Sequence, residues 1–303
     1  MKIAALIPLM IQSGIFLVVF AFGLKATWQD AASLFRRPGP LLRSLFAMYV
    51  VMPLFAAALV AAFPLTPAVK IALLLLSVSP VFPLLPRKLL TLGARGSSVY
   101  GLFTAVSLLS VALVPLSGFV WGRVIGVDTR VSPSAVASIV FLTVLAPLGA
   151  GMAVRQWTPE GADRSEKPVL VLGAVLVLIG LIPILIESGG GMVSLIGNGT
   201  LLSLALFVAA GLATGHLLGG PDPDDRSGLA LAAALRHPAV ALAVARANFP
   251  NETLAPAAIL LYLIVGALVV LPYMNRRKRG RLAGAREREE EAIRLHGRSE
   301  HRT

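Results

Sequence analysis

From Val169 to Ile186 the chain carries no charged side chain, and Ile71–Leu76 is one of several other runs just as apolar. A helix needs about 20 mostly apolar residues to cross a hydrocarbon layer, and within that layer only helices and closed barrels satisfy their own backbone. Charged residues make up 14% of the chain, against roughly 25% in a soluble domain, and mean hydropathy is +0.82. A water-soluble fold is excluded, and the chain reads as an all-α polytopic membrane protein.

Hydropathy and helix breakers predict about nine transmembrane helices. They fall near Ala4–Leu24, Pro40–Phe63, Pro67–Leu92, Tyr100–Arg123, Ser134–Arg155, Pro168–Glu187, Leu201–Gly220, Leu229–Phe249 and Leu254–Met274. The stretch Ile3–Leu24 is longer than a cleaved leader's apolar region and reads as a retained first span. Lys25, Arg36 and Arg37 follow the first span, Arg95 the third, Arg155, Arg164 and Lys167 the fifth, and Arg276–Arg281 the last. Phe63–Thr66 and Glu187–Gly199 hold no Lys or Arg, while Arg123 and Arg130 run against the trend. The positive-inside rule then places this multi-pass protein in the cell membrane with its N-terminus outside and its C-terminus cytoplasmic. Residues 1–274 form one transmembrane domain and 275–303 a charged cytoplasmic tail, in which Glu290 and Glu291 are spaced to pair with Arg294 on a helix. The net charge of +12 gathers in loops and tail, a pattern that fits an anionic lipid leaflet at the basic tail rather than nucleic acid. No cysteine is present, so disulfides, thiolate metal sites and cysteine nucleophiles are excluded.

Two segments do not belong inside a bilayer as continuous helices. The third span contains Pro80, Pro83 and Pro86 within Ser77–Lys88, and each proline removes a backbone donor and obstructs the preceding turn. The eighth contains Arg236, His237 and Pro238 near its middle. Breaks at membrane depth survive only inside protein or beside water, and a pair of them in corresponding halves points to an inverted-repeat transporter with two broken, crossing helices. The ionisable residues near the breaks are all basic, and no Asp or Glu lies inside a predicted span. Such residues are costly in a membrane and usually functional. Arg236, His237 and Pro238, with Arg87, Lys88, Pro83 and Pro86, are therefore the candidate substrate-binding residues, and a small organic anion is the expected partner. Arg236 is suited to a bidentate grip on a carboxylate or sulfonate. For Arg87 and Lys88 the alternative is snorkelling to the cytoplasmic face. For His237 the choice is between a proton carrier and a simple helix cap.

Phe20–Leu24, Phe35-Arg-Arg-Pro38, Val51-Met-Pro-Leu54, Leu65–Pro80 with Ala94-Arg-Gly96, Leu145–Gly149 and Ala239–Phe249 together resemble the bile acid:sodium symporter family, over nearly all of Ile7–Met274. The resemblance implies a panel domain and a core domain that holds the crossed helices. It also implies a first repeat over 4–123 lacking its first helix, a second repeat over 134–274, and organic anions as substrates. Where the family binds sodium through oxygen ligands, the resemblance places Arg87-Lys88 or Leu85-Pro86, Ala232, Arg236-His237, Met48, Gly101 and Ala105. Fixed cations are expected to replace the sodium ions, leaving uniport, exchange or proton-linked transport through His237, with no cofactor or metal. A non-transporting sensor with the same fold is the alternative. An intramembrane enzyme is not expected, because neither paired Asp nor an orienting carboxylate lies in a span.

Overall fold

A computed structural model of the protein describes residues 3–125 and 132–300. Arg130 and the side chains of Glu290, Glu291 and Arg294 lie outside the described residues. The described residues are almost entirely helical, with no strand. Seven segments are long and apolar enough to cross a membrane: Leu6–Gly23, Pro38–Ala62, Gly96–Trp121, Pro133–Trp157, Pro159–Ser194, Thr200–Leu218 and Ala255–Gly280. The other two expected crossings are the interrupted ones, and each is split into two short helices.

The first span is α1 (Ile3–Gly23), followed by a short α2 (Trp28–Ala32) that Thr27 and Asp30 close with a capping box. The second span is α3 (Pro38–Phe46) and α4 (Met52–Ala62), joined by a π-turn at Ala47–Val51. The third is split into α5 (Pro67–Val78) and α6 (Leu85–Thr91), and α7 (Gly96–Ile125) is continuous. A second π-turn, Phe141–Leu145, joins α8 (Pro133–Val140) to α9 (Ala146–Trp157). Then come α10 (Pro159–Ser194), α11 (Thr200–Leu218), the split pair α12 (Pro223–Ala234) and α13 (Pro238–Asn248), and α14 (Ala255–Glu300).

Two boundaries differ from expectation. The charged stretch before Pro168 is not a loop, because α10 starts at Pro159 and runs through it. Proline is at home in a first helical turn, Glu160 pairs with Arg164 one turn on, and Asp163 accepts from Arg155. At the other end, α14 continues without a break from the last span through residue 300.

Small residues decide which helices touch. A Cβ added at Gly14 would lie 2.8 Å from the Gly173 carbonyl oxygen, and one at Gly23 would lie 2.8 Å from the Gly151 Cα. Thus α1 packs backbone to backbone on α10 and α9. Gly211 and Gly215 of α11 and the Gly219 at its C-cap recur every fourth residue and meet Ala234, Ala230 and Arg226 of α12, where an added Cβ would lie 2.4–2.6 Å from backbone atoms. Close approach through small residues is how membrane helices associate when lipid supplies no hydrophobic drive. It fixes α12 beside α11, and so fixes where the second break falls.

The loop charges converge. Arg37 pairs with Asp225 at 2.5 Å, Arg95 bonds both Asp222 and Asp224, and Arg277 donates to the Pro223 carbonyl at 2.7 Å. Lys25 approaches Glu166 at 3.9 Å, and Arg155 donates to the Leu24 carbonyl. Alternate spans therefore end on one common, ion-rich face, as the sequence reading of the loops requires.

Candidate functional site

The two breaks meet. Val81 pairs with Arg236 as an isolated antiparallel bridge. The His237 N–H donates to the Pro80 carbonyl at 2.8 Å, and the Phe82 N–H to the Leu235 carbonyl at 3.3 Å. Each break thus satisfies backbone groups that the other has freed, which is what burial away from water demands.

Arg236 is fully buried at this crossing. One guanidinium nitrogen donates to the carbonyls of Met48 (2.6 Å) and Ser77 (3.0 Å), and the other to that of Ser79 (3.2 Å). Local chemistry leaves these carbonyls open. The chain turns extended at Ser79, so the helical partner of Ser77, the Val81 N–H, moves away, and the corresponding partner of Ser79 is Pro83, which has no N–H. Around Met48 the π-turn shifts the ladder by one residue, so that the Met52 N–H reaches Ala47. The next donor in that register is Pro53, which again lacks an N–H. The guanidinium thus sits at the C-terminal end of α5, where helix carbonyls and the macrodipole favour a cation. Its own backbone N–H donates to the Tyr262 hydroxyl, which donates in turn to the Ala234 carbonyl. Its Nε has no protein acceptor.

His237 is also buried and stands at the N-cap position of α13, where its side chain makes no capping bond. Its Nε2 lies 3.2 Å from the Thr143 hydroxyl in the second π-turn. That hydroxyl gives its only proton to the Ile139 carbonyl, so Nε2 must carry the hydrogen between them. Nδ1 is left as an acceptor without a protein partner. The two π-turns therefore serve the two residues of one break, Met48 for Arg236 and Thr143 for His237. π-turns of this kind often mark functional positions.

Of the other candidate residues, Pro83 and Pro86 are buried beside the first break and Pro238 is half-buried at the start of α13. Arg87 is exposed and Lys88 half-buried on α6, and neither takes part in the hydrogen bonds of Arg236. Sequence reasoning placed Met48 only as a family sodium position, not as a partner of Arg236, and did not find Thr143 or Tyr262. The Met52-Pro53 and Ala146-Pro147 pairs were the available signal for the π-turns. Tyr262 has no local signature.

The fold and this crossing define a polytopic helical membrane protein whose interrupted helices meet in the protein interior. The chain belongs to the sodium bile acid symporter family, whose profile matches residues 12–195. No curated protein matches the sequence. The matched region runs from α1 to the end of α10 and contains the first break, while Arg236 and His237 lie beyond it. At the level of the family this is a membrane transporter and not an enzyme.

Proposed function

We propose that the protein carries a small organic anion, a carboxylate or sulfonate, by alternating access around the crossing, without using sodium. The observation that carries this reading is the Arg236 guanidinium, a cation built into the intersection and held by carbonyls of two helices. A hard alkali cation needs several oxygen ligands. Here the carbonyls of Met48, Ser77 and Ser79 are already engaged. Of the ligand positions implied by family resemblance, Ala232, Gly101 and Ala105 are buried and, like the others (Arg87-Lys88 or Leu85-Pro86, Arg236-His237 and Met48), have no oxygen in their side chains. Gly101 has no room for a larger residue, since an added Cβ would lie 2.1 Å from Ser33 Oγ. These residues do not fit sodium.

Carbonyl dipoles solvate the guanidinium but bring no formal negative charge, so the crossing keeps a net positive field in a low-dielectric interior. An organic anion approaching the helix ends supplies the missing charge. Arg236 acts in this reading as the fixed source of that field, with its ion-pairing capacity directed to carbonyls rather than to a bidentate grip. Movement of the α1, α9 and α10 group against the helices of the crossing exposes the site alternately. A proton-linked mode would run through His237.

Flux into proteoliposomes tests this, with labelled carboxylates and sulfonates, sodium or potassium outside, and the membrane potential clamped. Saturable uptake that is equal in both salts and lost in Arg236→Ala is expected. Strict sodium dependence overturns the sodium-free mechanism. Saturable binding without flux favours a sensor over a carrier.

A further inference from the structure

On the ion-rich face α11 ends at Leu218 while α14 continues past it. A furrow of about 1270 Å³ lies there between the two helices. Leu212, Ala213 and Val269 form its apolar wall, and Tyr273, Arg276 and Arg277 line its ion-rich end. His216 and Tyr273, which both line the furrow, meet Nδ1 to hydroxyl at 3.3 Å. Leu217, at its edge, is 81% exposed.

The charges at this end are unequal. Asp222 and Asp224 face the furrow and are both bonded by Arg95. Arg277 is held by neutral acceptors, with its Nε to Ser227 Oγ at 2.9 Å and an NH2 to the Pro223 carbonyl at 2.7 Å. Neither Arg277 nor the exposed Arg276 pairs with a carboxylate among the described residues. Two guanidinium charges without an acidic partner therefore stand where an aliphatic trough reaches the end of the span.

We propose that this furrow is a binding site for one anionic phospholipid, with an acyl chain against Leu212, Ala213 and Val269 and the headgroup phosphate at Arg276 and Arg277. Three properties of the furrow select this occupant. Its wall is apolar and belongs to two membrane-spanning helices, α11 and α14. Its cations lie toward the end of the Ala255–Gly280 span, where the apolar stretch gives way to charge. Arginine forks match phosphate oxygens. A soluble anion would use the cations but not the trough, and a zwitterionic lipid the trough but not the cations. The proposal stands on the furrow alone and does not depend on what the crossing transports.

The test is thermal unfolding of the full-length protein in detergent with added phosphatidylglycerol, phosphatidylcholine or glycerol phosphate, together with native mass spectrometry of the retained lipid. Phosphatidylglycerol is expected to raise the melting temperature by several degrees and to remain bound as a single copy, and the other two to do neither. Arg276→Gln with Arg277→Gln should abolish the shift and the retained copy. Ala213→Trp, which fills the trough and leaves the charges, should weaken both. Lys278→Gln with Arg279→Gln, on the same helix but not lining the furrow, should leave both intact. Equal effects of the two lipids overturn the proposal, as does an equal effect of glycerol phosphate or loss of the effect in the Lys278/Arg279 variant. If the protein shows a lipid effect only after truncation beyond Gly280, the tail is the occupant and the proposal also fails.

Discussion

Replacing Arg236 by Met keeps much of its length and leaves the carbonyls of Met48, Ser77 and Ser79 without a donor. Removing a buried charge often costs nothing when its partners are replaced with it. These partners are backbone and cannot be replaced. Each stripped, buried acceptor costs about 1–3 kcal/mol, so Arg236→Met is expected to destabilise the protein by about 3 kcal/mol or more, read as a lower melting temperature in detergent. An unchanged or higher value would show that burying the charge costs more than the carbonyls return. Tyr262→Phe removes one acceptor and one donor at the same crossing. Its melting temperature should fall between those of the wild type and Arg236→Met, on the order of 2 kcal/mol below the former.

At the level of elements, glycine has opposite meanings in two helices. Gly215 faces α12, where a Cβ would lie 2.4 Å from the backbone of Ala230, whereas Gly189 in α10 has nothing within 4 Å. Gly215→Ala should destabilise by about 1–3 kcal/mol or more through overpacking. Gly189→Ala should stabilise by roughly 0.5–1 kcal/mol, because it removes only glycine's backbone entropy from a helix interior. Parallel thermal melts decide the pair, and equal effects would mean that α11 and α12 are not in backbone contact. Pro53→Ala bears on the first π-turn. Removing a proline from a helix ordinarily stabilises it, but here the new N–H competes with Arg236 for the Met48 carbonyl. A lower melting temperature is expected, and a higher one would show that the π-turn is incidental to the crossing.

At the scale of the molecule, the convergent ion pairs divide the chain into two faces. The protein has no cysteine, so single cysteines report topology without background. Lys25→Cys, Lys167→Cys and Lys278→Cys lie toward the ion-rich face, and Asn198→Cys and Asn251→Cys lie in loops between the other span ends; all five positions are exposed. By the positive-inside rule, a membrane-impermeant maleimide should label the last two on intact cells and the first three only after permeabilisation. Mixed labelling within either group would break the assignment.

What the sequence by itself determined is what depends on neighbours along the chain. Runs such as Val169–Ile186 exclude a soluble fold because they cannot be covered by water-compatible groups. Pro80, Pro83 and Pro238 locate the interruptions because a missing N–H is a local fact. The clustering of Lys and Arg after alternate spans was likewise readable before any coordinates, and the ion-rich face agrees with it. Only the tertiary structure decided which basic residue occupies the crossing. Arg87 and Arg236 each follow or flank a break, and the sequence left snorkelling open for the first without deciding it. One is exposed on α6, while the other reaches Met48, 188 positions away, through the packing of α12 on α11. The carbonyls that hold Arg236 were out of reach of the sequence for the same reason. A side chain's preferred partner follows from its chemistry, but the partner it meets is set by where rigid helices, spaced by their glycines, bring the open backbone groups.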